Sequence, residues 1–348
     1  MNESVVRQAF LDQARWCDGL GSPFTACLMR VIESLLDREC EVGRRILEWQ
    51  GNPSASHDSV PLRLAGALQA LALGGHAPAL AALYPPNAMP SQGALTALLP
   101  TIFREHETFL LELLRFAPQT NEAGRSAILY PAMAEIARVT GKPLALFELG
   151  SSAGLNLALD MFAYRFGGNQ VGKLQSSLSL APEWSGEPLE PPPFRVASRR
   201  GCDLNPLDIR VPMERARLRS YVWADQSERI ARFEAAASIA ADLPIRLDKA
   251  EAADWVEQNL ELDHSGQTCP VLFHTIAAQY FPEESRARIA AHLEKIGAAA
   301  TPDRPLAWLA FEQVPGEGHL LTLRLWPGGE ARMLAKADPH GRKVEWRG

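Results

Sequence analysis

The chain as a whole carries no excess of positive charge. Its 348 residues hold 35 Lys and Arg against 41 Asp and Glu, a formal net charge of −6. With no basic run and no basic helix face, the electrostatic footprint of a duplex binder is missing, and nucleic acid is not an expected partner. Cysteine is sparse: Cys17, Cys27, Cys40, Cys202 and Cys269 make an odd set of five without a C-x-x-C pair. That argues against a disulfide framework and against a zinc cluster, so no metal is expected. The start, MNESVVRQAFLDQ, lacks a basic segment leading into an apolar one, the mark of a secretory signal. The most apolar stretch, 62–83, is interrupted by Arg63, Gln69, Gly74, Gly75, His76 and Pro78. It reads as a pair of soluble helices and not as a membrane span. The expected location is the cytoplasm.

What is present is an ordinary globular composition, 47% hydrophobic and 22% charged, with enough material for one elaborated domain or two smaller ones. Through residue 140, apolar spacing predicts helices over 5–19, 25–49, 62–73, 77–83, 93–116 and 126–140, separated by Gly and Pro. After Lys142 the texture changes. Strand-like runs at 144–147, 200–203, 245–247, 271–273 and 306–311 alternate with helical runs at 155–166, 227–241, 250–260 and 283–296. Such alternation predicts a parallel sheet with crossover helices. Residues 320–326 and 331–336, joined by Pro327-Gly328-Gly329-Glu330, read as a closing antiparallel hairpin. The proline-rich stretch 167–199, with Pro182, Pro188 and Pro191-Pro192-Pro193, breaks the rhythm and reads as an insertion, either packed over the sheet's carboxyl edge or a surface loop.

The most informative segment is PLALFELGSSAGLN, residues 143–156. An apolar run ends in Glu148. Gly150, Ser151, Ser152, Ala153 and Gly154 then lead into LNLALDMFAYRF. A buried strand, a tight small-residue turn and a helix are expected, with backbone N–H groups presented to a ligand. Three readings compete. The acid followed by a glycine-rich turn resembles the first motif of class I S-adenosylmethionine (SAM)-dependent methyltransferases, with Ser152 where the middle glycine stands. Gly150-Ser151-Ser152-Ala153-Gly154 also fits the G-x-S-x-G nucleophile elbow, which would make Ser152 a hydrolase nucleophile served by a later Asp and by His319 or His340. Against that reading, some 140 helical residues precede the turn and no HGGG-type oxyanion loop is present. A dinucleotide fingerprint fails at its second glycine and lacks the acid about 20 residues on. The plain alternative to all three is a turn whose small residues serve packing alone.

Later strands decide between them. Gly201-Cys202-Asp203-Leu204-Asn205-Pro206 closes a strand on an acid, as in the second methyltransferase motif, where a carboxylate offers two acceptor oxygens to the ribose diol. The plain reading of Asp203 is a helix cap. Asp225 is the second candidate for the ribose acid. At the third strand, Asp248, Lys249 and Ala250 stand near the adenine position, with Lys249 where an acid is expected. At the fourth, His274 is the candidate base, its ordinary pKa lying near neutrality; Thr275, Gln279 and Tyr280 would shape the pocket. A histidine bonded to the main chain is the plain alternative. Before the first strand, Asn121, Glu122 and Arg125 form a polar cluster that either caps a helix or binds a polar or anionic substrate.

Taken together, QTNEAGRS, FELGSSAGLNLALD, GCDLNPLDI, VWADQSERIARFEAA and VLFHTIAAQYF are similar to a bacterial family of proteins of unknown function, over nearly the whole chain. The more distant resemblance to SAM-dependent methyltransferases covers 141–348. Together they imply an α/β protein: a helical N-terminal domain (1–140) followed by a Rossmann-like, methyltransferase-type sheet (141–348) with the insertion at 167–199 and the closing hairpin. The resemblance implies SAM as cofactor, held by Glu148, Gly150, Ser151, Ser152, Gly154, Asp203, Leu204, Lys249, Ala250 and His274. His274 and Tyr280 are the catalytic candidates, and a small-molecule acceptor would sit on Asn121, Glu122 and Arg125. The competing expectations are a serine hydrolase and a non-catalytic protein that binds SAM or a nucleotide.

Overall fold

The structure is a computed structural model that describes residues 3–187 and 189–348; Pro188 of the expected insertion lies outside the described residues. Eight helices come first: α1 (Glu3–Gly19), α2 (Pro23–Leu35), α3 (Glu41–Leu47), α4 (Val60–Leu73), α5 (Pro78–Ala81), α6 (Gln92–Glu105), α7 (Glu107–Leu114) and α8 (Ser126–Thr140). Then follow β1 (Leu144–Leu149), β2 (Ala163–Phe166), β3 (Asn169–Gly172), β4 (Ser179–Leu180), β5 (Glu183–Ser185), β6 (Val196–Asp203), α9 (Pro212–Ser220), α10 (Ser227–Ala241), β7 (Ile245–Lys249), α11 (Ala252–Asn259), β8 (Cys269–Thr275), α12 (Glu283–Gly297), β9 (Leu306–Val314), β10 (Gly318–Trp326), β11 (Ala331–Ala337) and β12 (Lys343–Trp346). The chain is thus mixed α/β, with a helical N-terminal region and a large, mostly parallel sheet. Two spans expected as single helices are each broken in two. Cys40 starts α3 afresh, its Sγ accepting the Gly43 N–H at 3.4 Å, and His106 separates α6 from α7.

The chain divides into two compact units: residues through Thr120 together with Arg210–Ala231, and Asn121–Ile209 together with Arg232–Gly348. This differs from the expected boundary at residue 140. Helix α8 goes with the sheet, and the segment carrying α9 goes with the helices. In the first unit α4 is apolar nearly all round and buried, with Leu64, Leu68 and Leu71 in a core shared with Phe10, Phe24, Ile32, Leu99 and Leu110, as a central helix must be. The 210–231 segment is tied to it by specific contacts. The Tyr221 ring lies over Gly66, where a Cβ would come within 2.9 Å of it, and Gln69 donates to the Val222 carbonyl at 2.8 Å. Asp225 caps α2 from some 200 residues away, accepting from the Ser22 hydroxyl and, at 2.9 Å, from the Phe24 N–H.

The second unit is built on a nine-stranded sheet of order β5-β12-β11-β10-β9-β8-β1-β6-β7. From β7 to β9 all neighbours are parallel. Every residue of β8 is buried, the near-continuous apolar pattern of a parallel strand covered on both faces. Trp255 and Val256 of α11 and Ile289 and Leu293 of α12 cover one face against Leu149, Cys202 and Leu272. The expected hairpin belongs to a longer antiparallel meander, because β10 pairs with β9 as well as with β11.

The crossover after β1 overturns an expectation. No α-helix spans 155–166. Leu155–Met161 forms a seven-residue 3₁₀ helix, and 163–166 is strand β2 of a small sheet ordered β3-β2-β4. The apolar spacing suits a helix, but aromatic packing wins. The Tyr164 ring stacks on Tyr130 (4.3 Å) and on Phe166 (5.7 Å), and Phe166 meets Trp184 (4.8 Å), which stacks on Trp346 (5.8 Å). Rings of this size dominate local packing energetics, whereas helix propensity is a weak preference. The same ladder takes in Trp184 of β5, which extends the outer edge of the main sheet beside β12.

Candidate functional site

From β1 the chain runs to β6 and β7 on one side, then returns to β8 on the other. The carboxyl ends of β1 and β8 therefore flank a topological switch point, the place where open α/β sheets take their ligands. Three non-glycine residues have positive φ among the described residues, and two of them are here: Ser152 (51°) after β1 and Ile276 (50°) after β8. For a β-branched residue such as Ile276 this is strained backbone, which persists only where the surroundings over-determine it.

Several protein groups hold the glycine turn. Ser151 donates its N–H (3.0 Å) and its hydroxyl (3.1 Å) to the Cys202 carbonyl. The Ser152 N–H donates to Asp203 Oδ2 at 2.9 Å, and the Ser152 carbonyl accepts from Leu207 N–H at 3.1 Å. Leu155 N–H, at the start of the 3₁₀ helix, donates to Asn121 Oδ1 at 3.1 Å. The long helix with a free amide end that the sequence suggested is thus replaced by a short turn capped by Asn121. Gly150 (φ 64°) and Gly154 (φ 71°) are left-handed, and their missing side chains make room for protein. A Cβ on Gly150 would lie 2.7 Å from the Ala277 Cβ, and one on Gly154 would lie 3.1 Å from Ile245.

Asp203 stands beside this turn, its Oδ1 accepting Asn205 N–H at 2.8 Å. Ala250 N–H donates to the Asp203 carbonyl at 3.0 Å, and Lys249 pairs with Asp203 in the sheet register. Leu204 next door is 65% exposed. Asp248 is occupied elsewhere: Arg200 (2.9 Å), Trp255 (2.8 Å) and Arg246 (3.1 Å) all donate to it. Asp225, the second ribose candidate, caps α2 in the other unit.

Below the turn, Glu148 is only 2% exposed. Asn156 donates to its carboxyl, and Asn156 Oδ1 in turn accepts the Ser126 hydroxyl at 2.9 Å. Glu148 Oε2 has no hydrogen-bond partner among the described residues. Burial drives this carboxyl well above the ordinary range and the Asp203 charge adds to it; the Asn156 bond and the Arg125 charge offset only part.

The polar cluster before α8 is a set of clamps. Arg125, buried, donates to the Thr275 carbonyl at 2.8 Å and to the Pro339 carbonyl at 2.9 Å. Glu122, also buried, accepts from Arg232 at 3.0 Å and from Gly124 N–H at 3.1 Å, with His340 Nδ1 3.5 Å from its other oxygen. These residues tie the chain before α8 to the exit of β8 and to the turn between β11 and β12.

Both ring nitrogens of His274 are engaged. Trp308 can only donate, and its indole N–H reaches Nε2 at 3.1 Å. The proton of the neutral ring therefore sits on Nδ1 and goes to Glu312 Oε1 at 2.7 Å. The same oxygen accepts the N–H groups of Ala277 (3.0 Å) and Ala278 (3.2 Å). Burial alone would raise the Glu312 carboxyl, but the His274 hydrogen bond and these two amides outweigh it and hold it below the ordinary range. A base at His274 would first have to give up one of its partners. Tyr280 is 70% exposed on the same exit.

A family model matches residues 7–346. The chain belongs to that family, a conserved bacterial group described as uncharacterised (DUF2332). Comparison with the curated proteins and with the solved structures gives no match. No described helix is long and apolar enough to cross a membrane, and no group of three or more His, Cys, Asp or Glu among the described residues is arranged to hold a metal ion.

The candidate site of this family member includes residues that sequence reasoning passed over: Glu312, Trp308, Ile276 and Arg232. Glu312 lies 38 residues from His274 and Arg232 lies 110 from Glu122. No local spacing links such pairs. The one usable signal was an acid near the end of a strand that follows a strand with histidine near its end.

Proposed function

We propose that the second unit binds S-adenosylmethionine at the glycine turn and transfers its methyl group to a small acceptor. The observation that carries this reading is the bond between Asp203 and Ser152: the acid closing the second strand of the parallel series meets the glycine turn closing the first, beside the switch point. The strand series β7-β6-β1-β8-β9, followed by an antiparallel β10, supports it. So does the donor set. Each Asp203 oxygen accepts one main-chain N–H and keeps acceptor capacity for a ribose hydroxyl. The unpartnered Glu148 oxygen suits a polar group of the ligand, and Leu204 offers apolar surface beside Asp203. The cofactor would supply a methyl group already activated on sulfonium. The protein's own contribution is to hold the acceptor in line and exclude competing geometries, which can be worth several powers of ten. His274, with both nitrogens engaged, serves this reading as a support of the β8 exit.

Titration of the purified protein with SAM by calorimetry tests the reading: saturable binding that is lost in Asp203→Ala supports it, and no binding up to millimolar SAM overturns it. A hydrolase is the second reading, favoured by the left-handed Ser152 inside Gly-x-Ser-x-Gly at a strand exit. Covalent labelling of Ser152 by a fluorophosphonate would select it. Binding of SAM without turnover on a metabolite pool would instead select a non-catalytic binder.

A further inference from the structure

Two successive N–H groups, from Ala277 and Ala278, converge on one oxygen of Glu312. They follow Ile276, left-handed at φ 50°, and Ala277 itself is right-handed at φ −120°, ψ −35°. Consecutive main-chain donors in such an alternation form an anion-binding concavity, or nest. Here the anion is a side chain of the same protein. Its exit strand is pinned from other directions: Ile276 N–H donates to Phe311 at 2.7 Å, and Arg125 holds the Thr275 carbonyl. Ala277 is also the residue that fills the space beside Gly150.

We infer that Glu312 is the positioning residue of the switch-point site, an internal hydrogen-bond acceptor on which the β8 exit is wound and through which Ala277 is set against the glycine turn. The inference deepens the SAM-binding reading and rests on it for what the turn binds. The wound exit itself is a separate claim. Glu312 would touch neither cofactor nor acceptor; it acts through Ala277 and through the geometry of Gly150. His274 and Trp308 complete the arrangement, since the indole fixes the imidazole proton on the nitrogen that faces Glu312. A carboxylate with a histidine donor and two amides is a stable occupant of the nest.

The test compares Glu312→Ala, Glu312→Gln and the unaltered protein in three measurements: amide hydrogen exchange at Ala277 and Ala278, SAM affinity, and the response of both to added sodium acetate. In E312A the two amides should exchange faster while amides of β10 keep their protection. SAM affinity should fall about 10- to 100-fold, the size of loss produced by misplacing a supporting group. Acetate should restore both by entering the vacated nest. E312Q, whose amide oxygen can still accept the Ala277 and Ala278 N–H groups, should stay near the unaltered protein. Unchanged protection of Ala277 and Ala278 in E312A overturns the inference, as does a uniform loss of protection without rescue by acetate. Where E312A does not fold, E312Q with unprotected Ala277 and Ala278 overturns it equally. If the unaltered protein binds no SAM, the methyltransferase reading fails, while the exchange and acetate measurements still decide the role of Glu312.

Discussion

Asp203 and Ser152, 51 residues apart, are joined by a 2.9 Å bond from the Ser152 main-chain N–H to the Asp203 carboxylate. The acid therefore braces the turn. Asp203→Ala would leave two main-chain donors, those of Ser152 and Asn205, without their acceptor. A loss of about 1–3 kcal/mol in urea unfolding is expected without ligand, together with loss of SAM binding. Asp203→Asn keeps one acceptor oxygen and should recover part of the stability and less of the affinity. An alanine variant as stable as the unaltered protein would remove the bracing role.

Gly150 tests close packing at the switch point. Gly150→Ala must take up a left-handed backbone, costing about 1–2 kcal/mol, and must also push aside Ala277, whose Cβ would lie 2.7 Å away, a further overpacking cost of about 1–3 kcal/mol. Gly141 provides the control. It is left-handed at φ 66° with nothing within 4 Å of its missing Cβ, so Gly141→Ala should show only the first cost. Equal losses for the two variants in urea unfolding would exclude the contact with Ala277.

These two residues also mark what was legible in the sequence. Strands β1 and β8 are continuous apolar runs bounded by turn residues, and their parallel order follows from alternation with helices. Residues 155–166 read as a helix because LNLALDMF satisfies helical spacing, while the packing that makes 163–166 a strand comes from Tyr130, Trp184 and Trp346, distant in sequence. Helix α8 looks like the helices before it. Its allegiance to the sheet rests on Ser126 bonding Asn156 and Tyr130 stacking on Tyr164. The return of 210–231 to the helical unit depends on a notch at Gly66 that fits Tyr221, and periodicity carries no trace of such a fit. The positions of the glycine turn and Asp203 at strand ends were readable because the signals that mark them are local. Glu312 and Arg232 were not, because their partners are brought to them only by the fold.

Asp225 offers a separation of roles. Both of its oxygens serve α2, through Ser22 and Phe24. Asp225→Ala should therefore behave as the loss of a helix cap, about 0.5–2 kcal/mol, and leave SAM affinity within twofold of the unaltered protein. Calorimetry and urea unfolding on the same preparation decide this. Loss of SAM binding at full stability would transfer the ribose role from Asp203 to Asp225.

Glu148 should give the protein a pH-dependent stability of unusual sign for a carboxylate. Its folded pKa is raised, chiefly by burial, whereas in the unfolded chain it ionises in the ordinary carboxylate range. Below that range the group is protonated in both states and takes nothing from stability. As pH rises from there toward the folded pKa, the unfolded state binds fewer protons than the folded one, and stability falls. Above the folded pKa the loss is complete and constant. Glu312, held below the ordinary range, acts in the opposite sense: its contribution is present above that range and is lost as pH falls through its folded pKa. Glu148→Gln isolates the first effect, since the amide oxygen can still accept from Asn156 and no ionisation remains. Urea unfolding of both proteins from pH 4 to pH 8 should show the variant gaining on the unaltered protein as pH rises. A difference independent of pH would mean that Glu148 ionises normally in the folded state, with its second oxygen satisfied by solvent.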